Sequence, residues 1–517
     1  MKYKVILLFL IVVATCESKR ILAVYPITSI SHQIVFRPLM LELAKRGHDV
    51  TVITPDAMFP KGKTPPNFTE IDVHNVSYYI WKDFLAHHAG DMENHVDFLP
   101  KAYKIFIAVC EAQFQFPEVQ DLIKNSSNKF DLIFTESMLR PPLVFSHIYK
   151  TPVISFSSFS GQHDNFETIG AASHPILYAI QTHQKIFNLT LWEKVTELFK
   201  RYYVDYKYYQ LEEIETAMIR RVFGPDVPHI NDLKSNIKML FLNVHHLWDF
   251  NRPVPPNVVY LGGFHVKPAN PLPQDLQTYL DSSKNGVIYV SFGSNIKPSL
   301  LPKDKLKVLT KVFSELPYDI LWRWDVLDYP ECPKNVRIGT WFPQTDILAH
   351  PKIKMFITQA GLQSTDESIT AGVPLLGIPQ LWDQWYNADH YLIHNLGQRI
   401  SLSDLTEDTL RTAIQDILDN NQRYRDNVAR YRGLLRDQPQ SPLERAVWWT
   451  EHVLRTGGSH LRSPAANITW AEYYQIDVIL LLLGILLFIS ILIVFAVRYV
   501  VSKFNSVRKN IIKYKEN

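Results

Sequence analysis

Cysteine is nearly missing from this chain. Three occur in 517 residues, and Cys16 falls in a segment read below as a cleaved leader. The other two, Cys110 and Cys332, lie in different halves. This excludes a disulfide framework as the source of stability and leaves no thiol metal site. No cluster of metal-ligating residues is visible at ligand spacing, so no metal is expected. Charge of one sign is also scarce, with a formal net charge of +3. Even that small excess sits at the ends. Residues 498–517 carry six cations and one anion, and residues 1–16 carry Lys2 and Lys4 without an acid, which leaves the body at about −4. A basic balance confined to the ends makes no case for nucleic-acid binding. Hydrophobic residues make up 46% and charged residues 20%, a globular balance that excludes a disordered chain. No short-period repeat occurs, and the length suits two large domains better than one.

The two ends read as sorting segments. Residues 1–16 combine Lys2 and Lys4, an apolar run over 5–14, and small Ala14 and Cys16 at the −3 and −1 positions of a signal-peptide cleavage site. Residues 478–497 are twenty residues without a charge; at about 1.5 Å per residue they span about 30 Å of hydrocarbon. The cations that follow place the 498–517 tail on the cytosolic side. The pattern predicts a single-pass type I protein with a translocated body. Lys513 and Lys515 stand at −5 and −3 from the end, the spacing of a dilysine endoplasmic-reticulum retrieval signal. Five N-x-S/T sequons, at Asn67, Asn75, Asn125, Asn188 and Asn467, all fall in the translocated part.

The body reads as two α/β halves. Apolar runs at 21–25 and 49–54 flank a helix-forming stretch that ends at Gly47, the strand–helix–strand opening of a doubly wound sheet. Runs at 130–135 and 151–157 continue it, and 191–221 is expected to be helical. Six prolines between 253 and 273 suggest a linker. A second set of strands is expected at 286–291, 320–324, 336–339 and 354–358. Ser441 and Pro442 open a strong helix over 441–455 that could return across the first half. The expected divisions are a leader 1–16, a first domain 17–250, a linker 251–273, a second domain 274–440, a return helix and juxtamembrane segment 441–477, the span 478–497 and the tail 498–517.

Chemistry concentrates between residues 341 and 384. Trp341 follows a strand and opens a loop, where an indole face can stack on a flat base with Gln344 bonding beside it. A single tryptophan is more often core. Thr358-Gln359-Ala360-Gly361 ends a strand in a turn, and Gln363 and Ser364 begin a helix whose free N–H groups suit a diphosphate. Glu367 can accept from two ribose hydroxyls, or it can be a capping-box partner of Ser364. Asp383 and Gln384 follow an apolar strand and can hold the hydroxyls of one hexose, or they form a surface turn.

Each feature is weak alone. Together, residues 341–384 resemble the donor-binding signature of the UDP-glycosyltransferases with every spacing kept. The segments 31–56, 261–263, 291–294 and 436–449 match as well, so the resemblance covers essentially the whole chain. Its Ser364–Glu367 wording, STDE, is closer to insect-type members. The resemblance implies a GT-B-like α/β fold, two doubly wound Rossmann-like domains facing a cleft, plus the C-terminal transmembrane helix. It implies inverting transfer of a hexosyl group, glucose first, from a UDP-sugar to a hydroxyl or carboxyl of a small lipophilic acceptor.

By that resemblance His32 is the general base and Glu136 the carboxylate that orients it, at a point where many members have aspartate. Trp341 would stack on uracil with Gln344 beside it. Ser294, Gln359, Gly361, Gln363 and Ser364 would bind the diphosphate, Glu367 the ribose, and Asp383 and Gln384 the hexose. The UDP-sugar is a co-substrate; no cofactor and no metal is implied, and a homo-oligomer is compatible with the pattern. Without the resemblance His32 would read as a structural residue. One departure stands out. The family's T-H-G-G is Thr358-Gln359-Ala360-Gly361 here, so a residue that can become a cation is lost and a methyl is added at a tight turn. This leaves open a rival, a catalytically weak relative that binds UDP-sugar or a lipophile.

Overall fold

The computed structural model describes residues 18–88, 95–125, 128–162, 164–326, 329, 331–466 and 468–515. The expected leader at 1–16 and the Asn467 sequon lie outside them. The chain divides into two units, Met1–Pro464 and Ala465–Asn517.

The first unit holds two parallel sheets. One contains β1 (Arg20–Val24), β2 (Asp49–Thr54), β3 (Phe68–Asp72), β4 (Leu132–Glu136), β5 (Val153–Ser157), β6 (Ile237–Leu242) and β7 (Val258–Tyr260), in the order β3-β2-β1-β4-β5-β6-β7. The other contains β8 (Val287–Ser291), β9 (Asp319–Arg323), β10 (Val336–Gly339), β11 (Ile353–Thr358), β12 (Leu375–Gly377) and β13 (Gly397–Arg399), in the order β10-β9-β8-β11-β12-β13. The central strands β4, β5 and β8 are buried at every residue. That is why they read as continuous apolar runs rather than as alternation. Val24 pairs with both Ile53 and Thr135, so β1 and β4 end level and Glu136 projects from the last position of β4.

In each sheet the strand order reverses beside the first strand, between β1 and β4 and between β8 and β11. The carboxyl ends at such reversals form ligand crevices in open α/β sheets. The Ile30–Lys45 helix follows β1, and Leu362–Ala371 follows β11 with Gly361 as its N-cap.

Two sequence expectations need correction and a third, the 191–221 helix, is met. The proline-rich 251–273 is not linker throughout, because Val258–Tyr260 forms the edge strand β7 against β6. An edge strand tolerates flanking prolines because one side needs no ladder donor. The helix expected over 191–221 runs over Leu191–Phe223 and is held at its start by a Thr190–Glu193 capping box. The helix expected to end at 497 extends over Ile476–Lys515, taking in most of the tail. Within Ile476–Ile512 an 18-residue window has a mean hydropathy of 3.4, and the helix is long and apolar enough to cross a membrane.

The Pro442–Thr456 helix has the expected Ser441 cap, completed by Glu444 in a capping box. Ala446, Val447 and Val453 on this helix join Val35, Leu39 and Leu43 of the Ile30–Lys45 helix in the core over the first sheet. Each buried Val or Leu among them contributes about 1.5–3 kcal/mol. Cys110 and Cys332 are both free thiols. Asn67, Asn75, Asn125 and Asn188 are exposed.

Candidate active site

His32 stands in the first turn of the Ile30–Lys45 helix, just past the end of β1. Its Nδ1 lies 2.8 Å from Oε1 of Glu136. A carboxylate can only accept, so Nδ1 carries the proton and Nε2 is left as the basic nitrogen. Nε2 has no protein partner among the described residues, and His32 lines the cavity described below. Ser158, one residue past β5, places its Oγ 2.9 Å from the same Nδ1 and donates to Glu136 Oε1 at 3.3 Å. Phe159 meets the imidazole edge-on at 5.0 Å. Glu136 is fully buried, and its Oε2 has no hydrogen-bond partner among the described residues.

A cavity of about 300 Å³ joins this group to the carboxyl ends of the second sheet, and all ten donor residues expected from the sequence line it. Trp341, beyond β10, is 66% exposed. The Arg323 guanidinium lies 5.6 Å from its ring centre, and Arg323 also donates to the Gly293 carbonyl. Gln344 donates to Glu367 Oε2 at 2.5 Å and to Ser364 Oγ at 2.9 Å. Thr345 donates to Glu367 Oε1 at 2.7 Å. Glu367 is thus fixed from the start of the Gln344–Leu348 helix, not by a capping box with Ser364.

The β11 turn is strained. Ala360 sits at φ 68°, a left-handed conformation that costs a residue with a Cβ about 1–2 kcal/mol. Asn387 holds it there by donating to the Ala360 carbonyl at 2.9 Å. Gln359 Oε1 accepts from Thr358 Oγ1 at 3.0 Å, and its amide nitrogen fills the space where a Cβ on Gly293 would stand. A Cβ on Gly361 would stand 3.0 Å from the same amide nitrogen. Ser294 is exposed on the loop beyond β8. Gln363 reaches the other sheet and donates to the Ser158 carbonyl at 3.1 Å. Ser158 therefore touches both the histidine pair and the β11 turn.

Asp383 caps the Gln384–Ile393 helix. Its Oδ2 accepts from Asn387 at 2.7 Å and from the Leu362 amide at 3.3 Å. Burial pushes its carboxyl up to about 6, against the opposing pull of the Asn387 and Leu362 donors and the His32 charge. Gln384 differs from expectation. Its Oε1 is consumed by the amides of Gln380 and Leu381, both at 2.8 Å, so only its NH₂ is left to donate.

Sequence reasoning missed Ser158, Arg323, Trp382, Asn387 and His265. The buried His265 lines the cavity and bonds the Gln363 carbonyl through Nε2 at 3.2 Å. Burial lowers its basicity. Trp382 lines the cavity at a positive φ of 53°. The SSFS run after 151–157 was the one available signal for Ser158, since hydroxyls after a buried strand end sit at the crevice.

Two doubly wound parallel sheets, with their carboxyl ends turned toward one cavity, define a GT-B glycosyltransferase fold. Solved structures agree. A glycosyltransferase of kitacinnamycin superposes with TM-score 0.57 at 18% identity, covering 85% of this chain and all of that one. The calicheamicin glycosyltransferase CalG4 superposes with TM-score 0.56 at 16% identity, covering 85% and 99%. The chain belongs to the UDP-glucoronosyl and UDP-glucosyl transferase family, whose sequence profile matches residues 20–511. An ecdysteroid UDP-glucosyltransferase of Spodoptera littoralis nuclear polyhedrosis virus is 36% identical over 500 residues, 93% of this chain and 97% of that one. UDP-glucosyltransferase 2 of Dactylopius coccus is 30% identical over 488 residues, 93% and 92%. The protein is a UDP-glycosyltransferase that moves a hexosyl group from a UDP-sugar.

Proposed function

We propose that the chain transfers glucose from UDP-glucose to a hydroxyl or carboxyl of a small lipophilic acceptor, with inversion at the anomeric carbon and His32 as general base. The observation that carries this reading is the His32–Glu136 pair at 2.8 Å, opening into the same cavity as the residues that end the second sheet. Nε2 of His32 takes the proton of the acceptor O–H as that oxygen bonds to the anomeric carbon. The bond from that carbon to the diphosphate oxygen breaks, and UDP leaves. Glu136 stabilises the imidazolium that forms, as a buried carboxylate does in the serine triad. The leaving group is good, so positioning and one base supply most of what the reaction needs.

In this reading Trp341 stacks on uracil and Glu367, steadied by Gln344 and Thr345, accepts from the ribose. Ser294, Gln359, Gly361, Gln363 and Ser364 face the diphosphate, with the helix N–H groups of Gln363 and Ser364 behind them. Oδ1 of Asp383 and the NH₂ of Gln384 meet hexose hydroxyls. The relatives, an ecdysteroid UDP-glucosyltransferase and a UDP-glucosyltransferase, support glucose and a hydroxylated lipophile. The sequence supports an endoplasmic-reticulum membrane protein with a lumenal body, glycosylated at exposed sequons.

The test is a donor panel. Membranes carrying the full chain are offered UDP-glucose, UDP-glucuronate and UDP-galactose with mixed phenols, alcohols and carboxylic acids, and the glycoside is examined by NMR. UDP release with UDP-glucose and a β-linked product is the expected result. An α-linked product would contradict inversion. Binding of UDP without release from any donor would favour the non-catalytic rival, which rests on Gln359 and the strained Ala360.

A further inference from the structure

The first half of the Leu191–Phe223 helix is turned inside out. Its inner side buries Glu197 and Arg201, each 7% exposed, ahead of Val204, Tyr208 and Leu211. Its outer side carries Trp192, Val195, Phe199, Tyr202, Tyr206 and Tyr209, with Trp192 76% and Phe199 69% exposed. Steps of three and four residues place these six on one stripe. A helix on the surface of a water-soluble body has the reverse arrangement, apolar in and polar out. A contiguous exposed apolar surface marks an interaction site.

The chemistry of the stripe selects the partner. A seam for a second helix calls for Leu, Ile and Val at these spacings. Five of the six residues here are aromatic, and Trp and Tyr concentrate at the membrane–water boundary, where a ring is buried and a polar edge stays wet. The charges beside the stripe agree. Lys194 is exposed, and Lys207 holds its ammonium 5.5 Å and 5.7 Å from the ring centres of Tyr203 and Tyr206. Lysines that lay their stems along an aromatic face and keep the head at its edge suit lipid phosphates. The acids of the same stretch are engaged within the protein: Glu193 by Lys185, Glu197 by Lys200 and Asp205 by Arg201. The chain also carries the apolar Ile476–Lys515 helix, so a bilayer is a partner it has at hand.

We propose that the outer face of this helix, residues 192–209, lies on a lipid bilayer, with its axis in the plane of the headgroups and its aromatic stripe below them. The inner face of the same helix leads toward the cavity. The Tyr208 ring is 5.2 Å from Tyr103, and Tyr103 is 6.0 Å from Trp382 of the cavity wall. The lipid contact therefore stands two rings away from the cavity.

The test uses the full chain in nanodiscs of phosphatidylcholine and phosphatidylserine, on a Cys16→Ser and Cys332→Ser background in which the remaining Cys110 is fully buried. A nitroxide is attached through Tyr202→Cys in one sample and through the exposed Asp408→Cys in another. Collision rates with oxygen, which concentrates in lipid, and with a water-soluble nickel chelate are compared. The expected result is a reversal, with oxygen dominant at 202 and nickel dominant at 408. Adding Trp192→Glu and Phe199→Glu should return the label at 202 to nickel dominance, with the signal at 408 unchanged. Nickel dominance at 202 in the unaltered helix would overturn the proposal. So would spin–spin broadening at 202 that vanishes on dilution with unlabelled protein, since a second copy would then cover the stripe.

Discussion

His32 Nδ1 and Glu136 Oε1 lie 2.8 Å apart although 104 residues separate them in the chain. The level ends of β1 and β4 bring them together, and the carboxylate sets which ring nitrogen can act. Replacing Glu136 with Gln keeps the size and removes the charge that balances an imidazolium. We expect kcat to fall by roughly 10²–10⁴, with UDP affinity unchanged. Glu136→Asp keeps the charge one methylene short and should lie between. Steady-state kinetics and calorimetric titration with UDP separate the two effects.

Trp341 is exposed, so Trp341→Ala should leave the melting temperature nearly unchanged, within about 0.5 kcal/mol of stability. UDP affinity should fall by about 1–3 kcal/mol, the worth of one base–aromatic stack. Trp341→Phe should recover part of it. A large loss of stability with intact UDP affinity would show that the indole serves the fold.

Gly293 has φ +73°, and a Cβ there would stand 2.1 Å from the Gln359 amide nitrogen. Gly293→Ala should cost about 1–2 kcal/mol for the left-handed backbone and displace Gln359 into the cavity. Thermal melts and UDP titration should both register it. An unchanged UDP affinity would remove Gln359 from the donor site.

Asp383 holds its proton up to about pH 6, against an ordinary value of 3.8. A raised acid binds protons more tightly folded than unfolded, so its contribution makes stability fall as pH rises through the window from 3.8 to about 6. Asp383→Asn should therefore raise the melting temperature at pH 7–8 and have little effect below pH 4. The same variant should raise KM for UDP-glucose at pH 7 by removing an ionised acceptor. Melts and kinetics across pH 4–8 check both.

The parts of this fold that the sequence disclosed are those whose physics is local. A strand buried on both faces, such as β8, is a nearly continuous apolar run, and the Pro442–Thr456 helix announces its cap. Val258–Tyr260 was hidden because its prolines satisfy an edge strand and a linker equally well. The candidate site was legible where one motif carries several residues, as over 341–384. Ser158 was not, because its partners His32 and Gln363 come from 126 and 205 residues away. Gln384 was half legible: its place in the cavity followed from the motif, but the two loop amides that occupy its oxygen are a matter of backbone path.

The central claim is that His32 acts as the base. The most direct measurement is UDP release from UDP-glucose by membranes carrying wild type or His32→Ala, beside UDP binding by each. The account predicts turnover in wild type, a loss of roughly 10²–10⁴ in the variant, and equal UDP affinity. Turnover retained in His32→Ala would contradict it.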